Sequence, residues 1–90
     1  MKTKFALGQI VSTPGAMGTF TPDILRGCLV RHSSGDWGDT PKDDAKLNDE
    51  AVTTGDRIMS SYKLGSDKLW IVTEGEGADR VTTFLLPEEY

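Results

Sequence analysis

The residues of this chain that are best suited to chemistry are its single histidine and three charged residues at predicted strand ends: His32, Arg57, Glu74 and Arg80. An imidazole or a carboxylate transfers protons, and arginine neutralises a phosphate during hydrolysis. Together these side chains would suit a small nuclease-like or other hydrolytic enzyme centred on His32. The alternative is that His32 caps and packs the end of a helix, while the other three residues form surface ion pairs.

A second candidate site is the loop Gly35–Asp39, in which Trp37 stands between Asp36 and Asp39. An indole in a tight polar loop either folds back over the core or stays outside as a contact for a ligand or partner. The acids do not form a calcium loop, because glycine, threonine and proline occupy the third, fifth and sixth positions counted from Asp36. We therefore expect no metal and no cofactor, and we expect these carboxylates to cap turns.

Charge and missing motifs narrow the functional class. The sequence contains no P-loop, Cys-x-x-Cys pair, His-x-x-x-His pair or nucleophile elbow. The net charge of −4 lies in residues 36–50, which hold six acids and two lysines, while the other eight acids and eight bases cancel. Without clustered lysine and arginine, a nucleic-acid partner is disfavoured.

Three Thr-Pro dipeptides are typical helix starts, with threonine as the N-cap and proline at the first helical position: Thr13-Pro14, Thr21-Pro22 and Thr40-Pro41. They predict a brief helical turn over residues 14–20 and helices over residues 22–32 and 41–54. In the third helix, Leu47 with Ala51 and Asn48 with Val52 mark the predicted inner face. Gly55 is suited to end that helix.

The remaining segments favour β-strands. Residues 5–12 form a short apolar run, and alternation with a period of two predicts strands over residues 58–63, 68–74 and 80–86. The short connections between the last three strands indicate an antiparallel meander. The predicted fold is therefore α+β, with an antiparallel sheet of three to four strands and two to three helices on one face.

Alternation also leaves open which residues of the sheet face outward. If Leu69 and Ile71 face the helices, Trp70 faces outward, and Phe84 would add to an apolar patch on the open face. A patch of this kind would bind a protein partner or a second copy of the chain. The opposite assignment places Trp70 in the core, and periodicity does not choose between the two.

The chain length and its one cysteine, Cys28, fit a single domain over residues 1–90 without an intrachain disulfide. No apolar run approaches the roughly 20 residues that span a membrane, and no apolar segment follows the N-terminal lysines. We therefore expect a cytoplasmic protein without a membrane partner.

Four stretches, residues 8–16, 31–39, 70–74 and 79–90, resemble a family of small uncharacterised bacterial proteins carried on plasmids, gene cassettes and other mobile elements. The most specific stretch reads His-x-x-Gly-Asp-Trp-Gly-Asp, and the last ends in Thr-Thr-Phe-Leu-Leu-Pro-Glu-Glu-Tyr. The resemblance implies a bacterial, cytoplasmic, accessory role and assigns no catalytic residue. With the missing catalytic motifs, it favours a protein that acts by binding a partner or by homodimerisation. Hydrolysis at His32 and small-ligand binding at the loop Gly35–Asp39 remain the alternatives.

Overall fold

Thr-Pro dipeptides open two of the helices in the computed structural model, which describes residues 3–90. The Thr13 hydroxyl accepts a hydrogen bond from the Ala16 N–H at 3.2 Å, and α1 runs over Pro14–Thr19. The Thr21 hydroxyl accepts from the Ile24 N–H at 3.3 Å, and α2 runs over Pro22–Ser33. Each cap satisfies a helix N–H that has no partner within the helix, so both predicted starts are confirmed.

The third predicted cap is wrong. Helix α3 covers Lys42–Thr54, and Pro41 stands at its N-cap without a side-chain hydrogen bond. The Thr40 hydroxyl instead donates to the Trp37 carbonyl at 2.7 Å and accepts from the Ser61 N–H at 3.1 Å. It therefore fastens the preceding loop to the sheet. The end of α3 is as predicted, because Gly55 adopts φ 84°, which glycine reaches without strain.

The described strands form one mixed sheet in the order β1-β4-β3-β2, so the expectation of an antiparallel sheet is only partly correct. Strand β1, Gln9–Ser12, pairs in parallel with β4, Val81–Leu85. All three helices lie between β1 and the other strands in the chain, and a long connection leaves strand direction free. Strand β1 is shorter than predicted because the chain turns at Gly8, where φ is 66°. Before this turn, Phe5 is buried in the core.

The predicted meander is confirmed. Strand β2, Ile58–Leu64, pairs antiparallel with β3, Asp67–Glu74, and β3 pairs antiparallel with β4. Short 3₁₀ turns occupy Gly77–Asp79 and Pro87–Glu89. The described part of the chain is thus an α+β domain whose helices pack on one face of a four-stranded sheet.

Burial identifies the covered face of the sheet. Leu69 and Ile71 are fully buried beneath the helices, and Trp70 lies on the opposite, open face. The register places Phe84 opposite Ile71 on the covered face, where only 6% of the residue is exposed. The prediction of Phe84 as an outward contact is therefore wrong. Thr82 lies on the covered face as well, because side chains alternate along β4.

The outer edge of β2 is closed by its neighbours. The Asn48 side chain donates to the Met59 carbonyl at 2.7 Å and accepts from the Met59 N–H at 3.1 Å. Further along, the Ser61 carbonyl accepts from the Asp39 N–H, and an Asp39 carboxylate oxygen accepts from the Lys63 N–H, both at 2.6 Å. Pairing of this kind protects an edge strand against addition of another strand.

Asn48 should therefore contribute more to stability than its neighbour Leu47, which we predicted on the inner face but which is 62% exposed. Asn48→Ala leaves two backbone groups of Met59 without partners and should lower the free energy of unfolding by about 2 kcal/mol. Leu47→Ala is the control and should change it by less than about 0.5 kcal/mol. Urea titration measures both, and equal effects would contradict the role given to Asn48.

Candidate functional site

His32, the central residue of the hydrolytic hypothesis, lies in the last turn of α2 and is fully buried. Its ring meets Phe5 edge-on at a centroid distance of 5.3 Å and Trp37 at 5.9 Å. A side chain without exposed surface cannot reach a substrate in this structure. Its position at the end of the helix was predicted, but the hydrogen bonds of its side chain are with the sheet rather than with the following loop.

Both imidazole nitrogens are hydrogen-bonded to hydroxyls. Nδ1 lies 2.6 Å from Ser60 Oγ, and Nε2 lies 2.9 Å from Thr73 Oγ1. Thr73 Oγ1 lies 2.7 Å from Thr82 Oγ1, and the Thr82 hydroxyl donates to the Leu7 carbonyl at 2.7 Å. We name these five residues the His32 network.

The carbonyl at the end of the network fixes the direction of every proton. The Thr82 hydroxyl donates to the Leu7 carbonyl, so the Thr73 hydroxyl donates to Thr82 and must accept from His32 Nε2–H. In a neutral ring, Nδ1 is then the acceptor of the Ser60 hydroxyl. The hydrogen-bond pattern thus places the proton of the neutral imidazole on Nε2.

The surroundings oppose a second proton on the ring. Burial lowers the pKa of His32 from its ordinary 6.5 to about 4, because an imidazolium in the core would lose its hydration. A proton on Nδ1 would also turn an acceptor into a donor facing Ser60. His32 is therefore suited to a fixed structural link rather than to proton transfer near neutral pH.

The hydroxyl partners of His32 were missed by the sequence analysis, although a signal was present. Ser60, Thr73 and Thr82 are polar residues at alternating positions that otherwise place apolar side chains on the covered face. Buried hydroxyls require partners, so three of them on one face indicate a polar group opposite. The single histidine was the residue able to bridge two of them.

Arg80 is buried, with 9% of its surface exposed, and holds three segments together. Nε donates to the Ala6 carbonyl at 2.6 Å, and Nη1 donates to the carbonyls of Gly75 at 2.9 Å and Gly55 at 3.3 Å. Gly55 is the C-cap of α3, where a cation is favoured by the helix dipole. The contacts of Arg80 are therefore structural.

The other members of the hydrolytic set do not join His32. Glu74 is exposed at the end of β3, and the exposed Arg57 stacks its guanidinium 5.0 Å from the ring centre of Tyr90. Within residues 3–90, no hydrogen bond or ion pair links any two of His32, Arg57, Glu74 and Arg80. The structure does not assemble these four residues into one site.

Trp37 folds back over the core, and 7% of it is exposed. The ring packs with Phe5 and Ala51, and Nε1–H donates to an Asp49 carboxylate oxygen at 2.8 Å. The loop around it is fastened as well. The Asp36 carboxylate pairs with Arg31 at 2.7 and 3.3 Å, and this bond holds the pKa of Asp36 below its ordinary value. The carboxylate of Asp39 binds the backbone of β2, as described above.

Trp70 lies half-buried on the open sheet face, beneath Tyr90 at a centroid distance of 5.6 Å. Val72 and Leu85 lie on the same face and are only 2% and 5% exposed. The C-terminal turn thus shields part of the face that the sequence suggested as a contact surface.

A further exposed apolar surface lies at the other sheet edge, along β1. Ile10 is 46% exposed and Val11 37% exposed. Between β1 and the first helices lies an open groove of about 340 Å³, lined by side chains that include Met17, Phe20 and Leu25. The sequence analysis missed this groove because it treated β1 as an ordinary member of the sheet.

The backbone groups of β1 point alternately toward β4 and toward the outer side of the sheet. The N–H groups of Gln9 and Thr13 donate toward β4, at 3.0 Å to the Arg80 carbonyl and 2.9 Å to the Phe84 carbonyl. In a parallel pair, alternate residues face the neighbouring strand, so the backbone groups of Ile10 and Ser12 point away. Within residues 3–90, no strand lies beyond β1. We name this strand and its groove the β1 edge.

The β1 edge is also without charge, since residues 5–22 contain no acid and no base. In a chain with 27% charged residues, that stretch leaves the edge without the lysines or acids that usually guard exposed strands. The nearby carboxylate of Glu89 is engaged by the Thr13 hydroxyl at 2.6 Å and the Leu86 N–H at 2.8 Å.

Neither protein-family models, nor curated proteins, nor solved structures gave a match to this chain. No helix within residues 3–90 has the length and apolar character needed to cross a membrane. The functional argument therefore proceeds from the geometry of the His32 network, the Trp37 loop and the β1 edge.

The burial of Trp37 predicts a large stability effect. Trp37→Ala leaves a void beside Phe5 and should lower the free energy of unfolding by about 3–5 kcal/mol. Trp37→Phe keeps an apolar ring but loses the hydrogen bond to Asp49, and should cost about 1–2 kcal/mol. Denaturant titration should show both losses as a lower unfolding midpoint, with the slope of free energy against denaturant unchanged. An unchanged midpoint for Trp37→Ala would contradict the role of Trp37 as a lid over the core.

The neutral state of His32 predicts that stability depends on pH. Because its folded pKa, about 4, lies below the ordinary 6.5, the unfolded chain binds more protons between these values. The stabilisation is complete above about pH 6.5 and is lost as the pH falls toward 4, by about 3 kcal/mol in total. Urea titrations from about pH 7.5 to 4.5 measure the change.

His32→Gln provides the control for this pH dependence, because it keeps a polar side chain without a titrating group. Its free energy of unfolding should be lower than that of the original chain at pH 7.5 but flat between about pH 6.5 and 5, above the range of most carboxyl groups. A flat profile for the original chain in the same window would refute a buried neutral imidazole.

Proposed function

We propose that this protein is a non-catalytic binding domain that adds an extended segment of another protein chain to the β1 edge. Strand addition of this kind combines main-chain hydrogen bonds with side-chain contacts in a neighbouring groove. In the bacterial accessory role that the resemblance implies, the domain acts by holding a partner rather than by converting a substrate.

The observation that carries this proposal is the contrast between the two edges of the sheet. The outer backbone groups of β2 are paired with Asn48 and with the loop containing Asp39. Among the strands of residues 3–90, none faces the outer groups of Ile10 and Ser12, which lie in an uncharged segment and border an apolar groove. An edge with these properties is a template for another strand.

The chemistry of the remaining candidates supports binding over hydrolysis. His32 is buried, neutral and hydrogen-bonded on both nitrogens. Arg80 donates to three carbonyls of its own chain, and the carboxylates of Asp36 and Asp39 are engaged in the loop. None of these groups is arranged for proton transfer to an external molecule.

The proposal predicts that an extended peptide binds at the β1 edge. We expect a capped peptide of alternating threonine and valine to shift the backbone amide NMR signals of Ile10, Val11 and Ser12, with the side-chain methyls of Met17 and Leu25. The expected dissociation constant is about 1 mM or lower, equivalent to about −4 kcal/mol. Shifts centred on Trp70 and Tyr90, or no shifts, would overturn the proposal.

Two controls separate strand addition from adhesion of an apolar peptide. The same peptide with every backbone nitrogen methylated cannot donate hydrogen bonds and should not bind. Ser12→Pro removes an outward N–H but leaves the bonds of Gln9 and Thr13 to β4, so it should fold and bind more weakly. Equal binding in both controls would contradict strand addition.

A further inference from the structure

We infer that the chain that occupies the β1 edge is a second copy of this protein, with the two β1 strands antiparallel about a twofold axis perpendicular to the sheet. This inference rests on the proposed function and names its partner. The outcome is a continuous sheet of eight strands in which both helix layers lie on one side.

The backbone permits one symmetric register. With Val11 opposite Val11 of the partner subunit, Ile10 faces Ser12 of the partner subunit, and each such pair exchanges two hydrogen bonds. Pairing Ser12 with its own copy would place Ile10 opposite a proline, which has no N–H to donate. Pairing Ile10 with its own copy would place Ser12 opposite Gly8, which leaves the extended conformation at φ 66°.

Side chains agree with the same register. On the covered face, the large Ile10 lies opposite the small Ser12 of the partner subunit, next to the groove that Met17 and Leu25 line. On the open face, the two Val11 side chains meet in a pair without direct hydrogen bonds, where side chains approach most closely. The dimer thereby covers apolar surface that is exposed in the single chain.

Charge favours this edge over the other surfaces for contact between identical chains. Copies of an acidic chain repel each other where the acids lie, and these are concentrated in residues 36–50, beside β2. Seven spacings of about 4.8 Å place the two β2 strands about 34 Å apart in the eight-stranded sheet. This distance is several times the screening length of about 8 Å in physiological salt, so the acidic segments do not oppose the pairing.

The size of the contact sets the expected strength. A standard interface buries about 800 Å² per partner, roughly one seventh of the 5511 Å² surface of this chain. The contact proposed here is limited to a four-residue strand and the groove beside it. We therefore expect a reversible dimer that depends on protein concentration.

Sedimentation equilibrium between about 1 and 300 μM tests the dimer directly. The mass should rise with concentration from 9.8 kDa toward twice that value. Ile10→Lys places a charge in the contact and should raise the dissociation constant at least about tenfold. Val30→Lys is the matched control, because Val30 is 44% exposed against 46% for Ile10 but lies on α2 and does not line the groove, and it should dimerise normally.

Cysteine cross-linking tests the register in a Cys28→Ala background. Across a pair without direct hydrogen bonds, the Cα atoms lie about 4.5 Å apart, within the range that a disulfide spans. Val11→Cys should therefore oxidise rapidly to a covalent dimer. Ile10→Cys should not, because its two copies would lie about 8–9 Å apart. Equal cross-linking of both variants would overturn the register.

The outcomes separate this inference from the proposed function. A mass that stays at 9.8 kDa up to about 300 μM refutes self-association, and peptide shifts at Ile10–Ser12 would then show that the edge receives a different chain. A dimer that persists unchanged in Ile10→Lys and Ser12→Pro refutes the β1 interface. If the unsubstituted chain neither binds the peptide nor dimerises, the proposed function is refuted as well.

Discussion

The arrangement of this fold depends on one neutral imidazole in its core. His32 joins α2 to β2 through Ser60 and to β3 through Thr73, and the bonds continue through Thr82 to the Leu7 carbonyl. Because side chains alternate along a strand, a slip of one residue would move a hydroxyl to the open face and leave a buried polar atom without a partner. The network therefore fixes the register as well as the position of the helix.

The same network marks the junction between two apolar clusters. One contains Leu69, Ile71 and Phe84, the other contains Phe5, Trp37 and Ile58, and Leu7 packs against both. Within residues 3–90, every buried side-chain nitrogen or oxygen has a hydrogen-bond partner, so these side chains offer no spare donor or acceptor to an external molecule. An interaction surface must then lie outside the core. Of the two sheet edges, β2 has its outer backbone groups paired with side chains, whereas no strand within residues 3–90 pairs with the outer side of β1.

Local signals in the sequence located most elements, since caps, glycine stops and period-two alternation act within a few residues. Thr13 and Thr21 cap helices, Gly55 ends α3, and the meander from β2 to β4 has the predicted order. The errors concern residues whose surroundings are decided by the tertiary structure. Thr40 accepts a hydrogen bond from the sheet instead of capping its helix, Leu47 is exposed, and Phe84 is buried.

The sequence by itself determined the α+β class, the helix starts at Thr13 and Thr21, and the uncharged character of residues 5–22, because composition and local backbone preferences decide these features. Only the tertiary structure decided that β1 runs parallel to β4, that His32 is buried between strand hydroxyls, and that one sheet edge is closed while the other is open. These features depend on pairings across 11 to 75 residues, for which the chain carries no local signal. Packing and the satisfaction of buried polar groups select among the alternatives that local preferences leave equal.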